Sequence, residues 1–292
     1  LQSCYMAIKS GAFDIGIAVG FDKHERGAFR VDAPDWYGQT GLALTTQFFG
    51  MKIQKYMADY GITDDTLIKV AEKAFRNGSL NPTAWRKKPL SYEEIKDSPM
   101  LSHPLRKYQF CSPAEGGAAI VMCKADVANK YTQIPLFLKA AVVRTRRYGS
   151  FEVFTKGQAI DHADSPTVDA SKAAYEMAGV DPGDVDVAQL QDTETGAEIM
   201  HMSENGLCKD GEQEEMIQNG ATEINGKLPV NTDGGCIANG EPIGASGLRQ
   251  VHEICVQLRG EGGKRQVPGD LKTGYSHVYG APGLSAVTVI QK

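Results

Sequence analysis

Apolar residues recur along the chain with two periods, and the changes of period mark its elements. Residues 1–10 have the three-to-four spacing of an amphipathic helix and stop at Gly11. "DIGIAVGFD", residues 14–22, is a short run rich in Ile and Val with polar bounds, which predicts a buried strand. Residues 42–61 return to helical spacing and end on glycine. "TDDTLIKVAEKAFRNGS", residues 63–79, opens with an acidic turn that suits the positive end of a helix and closes with an Asn-Gly exit. Residues 81–105 carry four prolines among short apolar and charged pieces, so they read as an excursion over the surface. "GGAAIVMC" reads as a strand returning to the core.

From residue 134 the elements alternate. "IPLFLKAAVVRTRRYG" predicts a strand, "TVDASKAAYEMAGV" a helix, and "DVDVAQLQD" a strand that delivers Asp192 at its end. "TGAEIMHMSENGL" is helical and "LPVNTDGG" reads as a strand end. "IGASGLRQVHEICVQLRG" is a long helix. "LKTGYSHVYG" and "LSAVTVIQK" close the chain as two strands joined by a Gly/Pro turn. Strands alternating with helices argue an α/β fold, a mixed sheet between helical layers. We divide it into residues 1–133, including an excursion over 50–110, and residues 134–292. A chain of 292 residues can bury one large core or two smaller ones.

Composition narrows the function. The chain is 41% hydrophobic and 23% charged with a net charge of −5, ordinary for a globular protein. No basic run asks for nucleic acid, and no apolar stretch approaches the roughly 18 residues that span a membrane. Cys4, Cys111, Cys123, Cys208, Cys236 and Cys255 form no CxxC pair and fit no zinc template, so a reducing cytoplasm is the expected compartment. The chain opens inside an apparent helix with no methionine, cap or signal peptide, and we expect a natural beginning upstream.

In folds of this class, sites collect at strand ends and the loops that follow. Three loops qualify: residues 191–194, 231–247 and 275–283. The middle one, "NTDGGCIANGEPIGASG", holds Gly234, Gly235, Gly240, Gly244 and Gly247 before a helix. Glycine permits close backbone approach, and a helix start offers free N–H groups, so the loop suits an oxyanion or phosphate. A tight turn with close helix packing explains the same spacing. Glu241 stands in its middle. Cys236 reads as packing, and His24, His103, His162, His201 and His252 are scattered and read as surface or core. No metal set emerges.

The loop and the helix after it resemble the C-terminal signature of the thiolase superfamily, in its sterol-carrier-protein-type branch, where the pattern is Asn-x-x-Gly-Gly, then Gly-His-Pro-x-Gly-Ala-Ser/Thr-Gly. "SGAFDIGIAVGFDK", "NPTAWRKKPLSYEEIKDSPMLSHPL", "CSPAEGGAAIVM" and "HVYGAPGLSAVTVIQK" resemble the same branch, so the likeness covers nearly the whole chain and implies a thiolase-like layered fold. The departures are informative. Glu241 stands where the branch has a histidine, Gln191-Asp192-Thr193-Glu194 replaces His-Asp-Cys-Phe, and the last loop offers Val278 and Tyr279 where many thiolases carry a cysteine. "LQDTETGAEIMHMSENGLCKDGEQE" resembles the bacterial steroid side-chain aldolases, which cleave a β-hydroxyacyl-CoA by retro-aldol reaction and pair with a small OB-fold (DUF35) protein.

The resemblance implies a carbon–carbon lyase that converts a 17-hydroxy steroid C22-CoA ester to a 17-ketosteroid and propionyl-CoA or a similar short acyl-CoA. It implies no prosthetic group, with coenzyme A as part of the substrate, and a homodimer core paired with the DUF35 protein as α2β2. Tyr279 is the favoured acid–base group, with Tyr275 a weaker neighbour. His277 matches a histidine of the branch and is either structural or catalytic. Glu241 can act as base, orient a water or fill the histidine's space. Asp192 is kept from the branch's His-Asp motif and has a structural role as its alternative, and Glu194 stands at a helix start, where capping is its alternative role. Asn231 matches the thiolase asparagine that holds an oxyanion-hole water, and the N–H groups near Gly280 and Gly283 can join it. Gly240, Gly244, Ser246 and Gly280 are the expected ligand-facing positions. Arg86, Lys87 and Lys88 are candidates for the CoA phosphates, or form a solvated basic turn. The alternatives are a thiolase-like acyltransferase and a non-catalytic acyl-CoA or lipid carrier.

Overall fold

The computed structural model describes residues 1–24, 45–148, 164–280 and 283–292. Helix α1 (Gln2–Lys9) leads into strand β1 (Ile15–Asp22). Helices α2 (Thr45–Tyr60) and α3 (Asp64–Leu80) follow, and the Thr63 hydroxyl caps α3 by accepting from the Thr66 N–H. The proline-rich stretch then forms the short helix α4 (Tyr92–Lys96), started by a Ser91/Glu94 capping box, and a small hairpin of β2 (Met100–Ser102) and β3 (Leu105–Arg106). Strands β4 (Gly116–Cys123) and β5 (Phe137–Thr145), helix α5 (Pro166–Ala178) and strand β6 (Val187–Leu190) come next. Helices α6 (Thr195–Glu204), α7 (Glu212–Gln218), α8 (Gly235–Asn239) and α9 (Ile243–Arg259) precede the closing strands β7 (Thr273–Gly280) and β8 (Leu284–Gln291).

Helix α9 lies between two sheets. On one side is the antiparallel pair β1–β4 and on the other the four-stranded sheet β5-β8-β7-β6, in which β6 and β7 run parallel and the other pairs antiparallel. Helix α5 covers the far face of the four-stranded sheet. Close approach of α9 to β1 depends on two glycines. A Cβ on Gly244 would stand 2.5 Å from the Phe21 carbonyl oxygen, and one on Gly20 would overlap the Gly244 carbonyl. The largest apolar cluster lies under α5 and includes Val142, Ala174, Leu190, Tyr275 and Val289. The expected mixed α/β layering is therefore what the chain adopts.

Three elements differ from the sequence reading. The Asn-Gly exit does not end α3 at Asn77. Gly78 packs against Ala238 and Asn77 donates to the Asn231 carbonyl at 3.2 Å, so tertiary contacts carry the helix on to Leu80. The middle glycine loop contains a helix of its own, α8, which breaks the expected strand-to-helix turn. The segment "LPVNTDGG" contributes one bridge, Val230 to Ala188, rather than a strand. Residues 42–44, where a helix start was expected, and His162 lie outside the described residues.

Candidate active site

Glu241 is buried between the sheets, and its neighbours are polar. Its carboxylate accepts from the Gln191 side-chain N–H at 2.8 Å and from the Ser246 hydroxyl at 2.5 Å. Gln191 in turn accepts from Gln250 at 3.4 Å. The Glu241 backbone N–H is tied to the Ser112 carbonyl at 2.8 Å, which fixes the loop from the other half of the chain. A cavity of about 340 Å³ opens beside this pair. Gln191, Glu241, Gly244, Ser276, Tyr279 and Gly280 line its polar part, and Ile243, Leu248, Val278 and Leu284 its apolar part. Thus Gln191, Glu241, Gly244, Tyr279 and Gly280, taken from three separate sequence loops, meet at one cavity, while Ser246 stands behind Glu241.

Other candidates are used by the fold. Tyr275 is fully buried, stacks on Tyr175 with centroids 5.3 Å apart, and donates to Asn205 Oδ1 at 2.6 Å and Ser171 Oγ at 3.1 Å. Burial pushes its phenol well above the usual value. It is a core tyrosine, not a proton-transfer group. Asp192 accepts from the backbone N–H of Cys236 at 2.6 Å and of Ile237 at 3.4 Å, so it caps α8. These N–H groups belong to α8, a helix inside the loop that the sequence reading did not expect, and not to the start of α9 that it offered to an anion. Gly235 faces this carboxylate, and a Cβ there would overlap it.

Asn231 is also committed internally. It adopts φ +54°, accepts from the Leu190 N–H at 2.9 Å and donates to Glu198 at 2.7 Å, and Glu198 also takes Lys73 at 2.5 Å. This buried knot fixes the loop after β6 and does not line the cavity. Gly240 packs on Ala114, too tightly for a side chain. Arg86 was a candidate for CoA phosphate. In the structure its guanidinium donates to the carbonyls of Phe110 and Ile237 at 3.0 and 2.9 Å and lies over the Phe75 ring, so it pins the excursion to α8. Lys87 is exposed and donates to Pro82 O at 2.5 Å, and Lys88 pairs with Glu94 at 3.1 Å.

His277 and Tyr279 point to the α6 face of β7, since alternate residues of a strand share a face. There they meet side chains that the sequence reading left as scattered. His277 Nε2 is 3.2 Å from Thr167 Oγ1, and its Nδ1 has no partner. Its ring centroid is 4.5 Å from that of His201, and His201 is 5.7 Å from the Tyr279 ring. Lys52 Nζ lies 5.7 Å over the Tyr279 ring. Glu194 caps α6 through the Gly196 N–H, and its other oxygen is buried without a partner. Burial pushes its carboxyl up to about 8, against the pull of Lys52. His201 and Glu204 carry a local signal, a histidine and a carboxylate one helical turn apart. Their meeting with Lys52 and Tyr279 spans most of the chain and leaves no mark in the sequence.

Two thiols approach this region, Cys111 and Cys236. Burial raises both well above the usual thiol range, and Glu241 and Asp192 add to it, so neither is a thiolate at neutral pH. The six cysteines are unpaired. Among the described residues no group of three or more His, Cys, Asp or Glu is placed to hold a metal ion, and no helix is long and apolar enough to cross a membrane.

The thiolase C-terminal domain-like family matches residues 154–292. An acetyl-CoA acetyltransferase of Methanothermobacter thermautotrophicus is 34% identical over 297 residues, covering 99% of this chain and 76% of that protein. The chain belongs to the thiolase superfamily. Sterol carrier protein 2 of Oryctolagus cuniculus is 30% identical over 97% of this chain, which spans 54% of that relative's length. In three dimensions a thiolase-like fold is also found in an Ltp2-ChsH2(DUF35) aldolase, at TM-score 0.83 and 24% identity over 98% of this chain and 75% of that one. A monomeric SCP2-thiolase-like protein type 1 from Mycobacterium smegmatis matches at TM-score 0.67 and 14% identity, covering 99% of this chain and 60% of that one.

Proposed function

We propose that this thiolase-superfamily protein is a carbon–carbon lyase that cleaves a β-hydroxyacyl-CoA by retro-aldol reaction, with a 17-hydroxy steroid C22-CoA ester as substrate. The observation that carries the reading is the Gln191–Glu241 pair, 2.8 Å apart at the cavity wall. The sterol-carrier-protein-type branch has histidines at both positions. An amide bound to a carboxylate cannot polarise a thioester carbonyl as a histidine pair does. It suits a reaction that moves a proton without forming an acyl-enzyme. The raised thiols of Cys111 and Cys236 favour the same choice over acyl transfer through either group.

In this reading Tyr279 takes the proton of the β-hydroxyl as the C–C bond breaks. Glu241, held by Gln191 and Ser246, orients the water that carries a proton to the enolate carbon. The apolar wall of Ile243, Leu248, Val278 and Leu284 suits the steroid side of the substrate. Coenzyme A enters as part of the substrate, and exposed Lys87 is the remaining basic candidate for its phosphates. A DUF35 OB-fold protein is the proposed partner of a homodimeric core, as α2β2. That proposal is supported by the fold likeness to the Ltp2-ChsH2(DUF35) aldolase.

The test is turnover of the C22-CoA ester with and without the DUF35 protein, scoring 17-ketosteroid and propionyl-CoA. Wild type should form both. Glu241→Gln and Tyr279→Phe should each lower kcat by about 10²–10⁴-fold, the usual weight of an acid–base group. Thiolysis of acetoacetyl-CoA is run alongside, because one relative is an acetyl-CoA acetyltransferase. Thiolysis without ketosteroid would replace the lyase with an acyltransferase. Binding of the ester without either product would leave an acyl-CoA carrier.

A further inference from the structure

Helix α9 runs between the two sheets, so polar side chains on its buried face need partners within the protein. Ser246, Gln250, Glu253 and Gln257 recur at steps of four, three and four residues, share one face of the helix and are all buried. The half of this stripe far from the cavity is satisfied. Glu253 accepts from Thr232 and Arg265 at 2.9 Å each. Gln257 donates to Glu253 at 2.9 Å, and its oxygen accepts from the Val267 N–H at 2.9 Å. The half beside the cavity is different. Ser246 donates to Glu241 at 2.5 Å and Gln250 donates to the Gln191 oxygen at 3.4 Å, but Gln250 Oε1 is buried with no partner. A buried carbonyl without a donor is costly and uncommon, so Gln250 is placed for what its N–H does.

The direction of these hydrogen bonds follows from Glu241. A carboxylate only accepts. Gln191 must therefore turn its N–H to Glu241, at 2.8 Å, and its oxygen to Gln250. That oxygen also only accepts, so Gln250 must present its N–H, which leaves its own oxygen on the far side. Turning the Gln250 amide round would set two carbonyl oxygens against each other. Gln191 is within reach because it continues the side of β6 that faces α9, the side on which Val187 packs against Val251 and Ile254.

We propose that Gln250 is a positioning residue, which fixes the direction of the Gln191 amide and so holds Glu241 for the water it orients. The effect on turnover rests on the retro-aldol reading, whereas the orientation of Gln191 does not. Without the Gln250 donor, the Gln191 amide is free to turn about its last bond. One oxygen of Glu241 then loses a fixed partner, while Ser246 still holds the other. The apolar wall of the cavity is untouched, so substrate binding is spared.

Two measurements test the assignment. Gln250→Met keeps the length of the side chain and removes the donor. With the DUF35 protein present it should lower kcat for the C22-CoA ester by about 10–10²-fold, the effect of displacing a reacting group by about 1 Å, with KM little changed. Gln250→Glu keeps the shape and donates only while protonated. Burial and the Glu241 carboxylate beyond Gln191 raise the introduced carboxyl. Of the charged groups beside it on α9, Arg249 is held by Asp233 and Glu253 by Arg265. Gln250→Glu should therefore approach wild-type kcat at acid pH and fall to the Gln250→Met level as pH rises, a loss absent from wild type and from Gln250→Met. Wild-type kcat in Gln250→Met, or one pH profile shared by both variants, would overturn the assignment. Should Gln250→Met fold poorly, the pH dependence of Gln250→Glu decides alone. The second measurement needs no turnover. In protein labelled with 15N-glutamine, the Gln191 side-chain signal is the one lost in Gln191→Leu. Its two protons should resonate far apart, because only one is bound to the carboxylate, and Gln250→Met should move them together. Unmoved signals would overturn the positioning even if the steroid ester is cleaved. Moved signals in a protein without lyase activity would keep the positioning and dismiss the reaction.

Discussion

Glu194 shows how one residue can record its surroundings. It is fully buried, one oxygen caps α6, the other has no partner, and its carboxyl is pushed up to about 8. The sign of the consequence follows from linkage. Below pH 4.5, its ordinary value, both folded and unfolded chains hold the proton and nothing is lost. Between 4.5 and about 8 the unfolded chain sheds the proton while the folded one keeps it, so stability falls with rising pH. Glu194→Gln keeps a capping oxygen and removes the titration. Relative to wild type it should gain roughly 2–4 kcal/mol between pH 5 and pH 8, read from urea unfolding at each pH. A constant difference between the two proteins would show that Glu194 is already ionised in the fold. Tyr275 makes a second residue-scale case. Tyr275→Phe should lose about 1–2 kcal/mol of stability through its bonds to Asn205 and Ser171, with kcat unchanged. Sequence position placed Tyr275 and Tyr279 side by side as candidates. Only their depth in the sheet separates them, because one lies under α5 and the other at the open end of the strand.

Among elements, α8 is the least expected and the most constrained. Its five residues start at Gly235, whose φ is +60°, and its first N–H groups are held by Asp192 from the end of β6. Gly235 leaves room for that carboxylate, so the two positions should be coupled. Gly235→Ala should cost more than about 2 kcal/mol through strain and overlap. Asp192→Ala should cost about 1–3 kcal/mol by leaving buried N–H groups unpaired. Because the alanine at 192 also removes what the new methyl would strike, the double variant should lose less than the sum. Strict additivity in chemical denaturation would mean that Asp192 moves aside freely. The glycine spacing of this loop was legible in the sequence and pointed to close approach. What approaches, a ligand or the protein's own carboxylate, depends on a strand end more than forty residues upstream. The long helices α3 and α9 were legible because their apolar stripes run for several turns, whereas the exit of α3 was set by contacts to Ala238 and Asn231.

At the scale of the molecule, the alternating elements foretold layers of helix and sheet, and the motif order pointed to the thiolase family. The contact of His201 with Tyr279 on the α6 face of the four-stranded sheet was not legible, since no local pattern links α6 to β7. One face of the layered arrangement stands out physically. In the β1–β4 pair, Gly16, Ala18 and Gly20 turn toward α1 and α9, while Ile15, Ile17, Val19 and Phe21 turn away and are between 46% and 77% exposed. Val121, opposite Ile17 in the ladder, is exposed as well. A contiguous apolar strip of this kind binds amphiphilic dyes, whereas single exposed apolar side chains are ordinary. The dye 8-anilinonaphthalene-1-sulfonate should therefore fluoresce with the native protein. Val19→Lys with Phe21→Lys should quench most of that signal and leave Tm nearly unchanged, because substitutions at exposed positions usually shift stability by no more than about 0.5 kcal/mol. A large fall in Tm would mean instead that these side chains are packed in the native state, and that the outward face of β1 contributes to the stability of the fold.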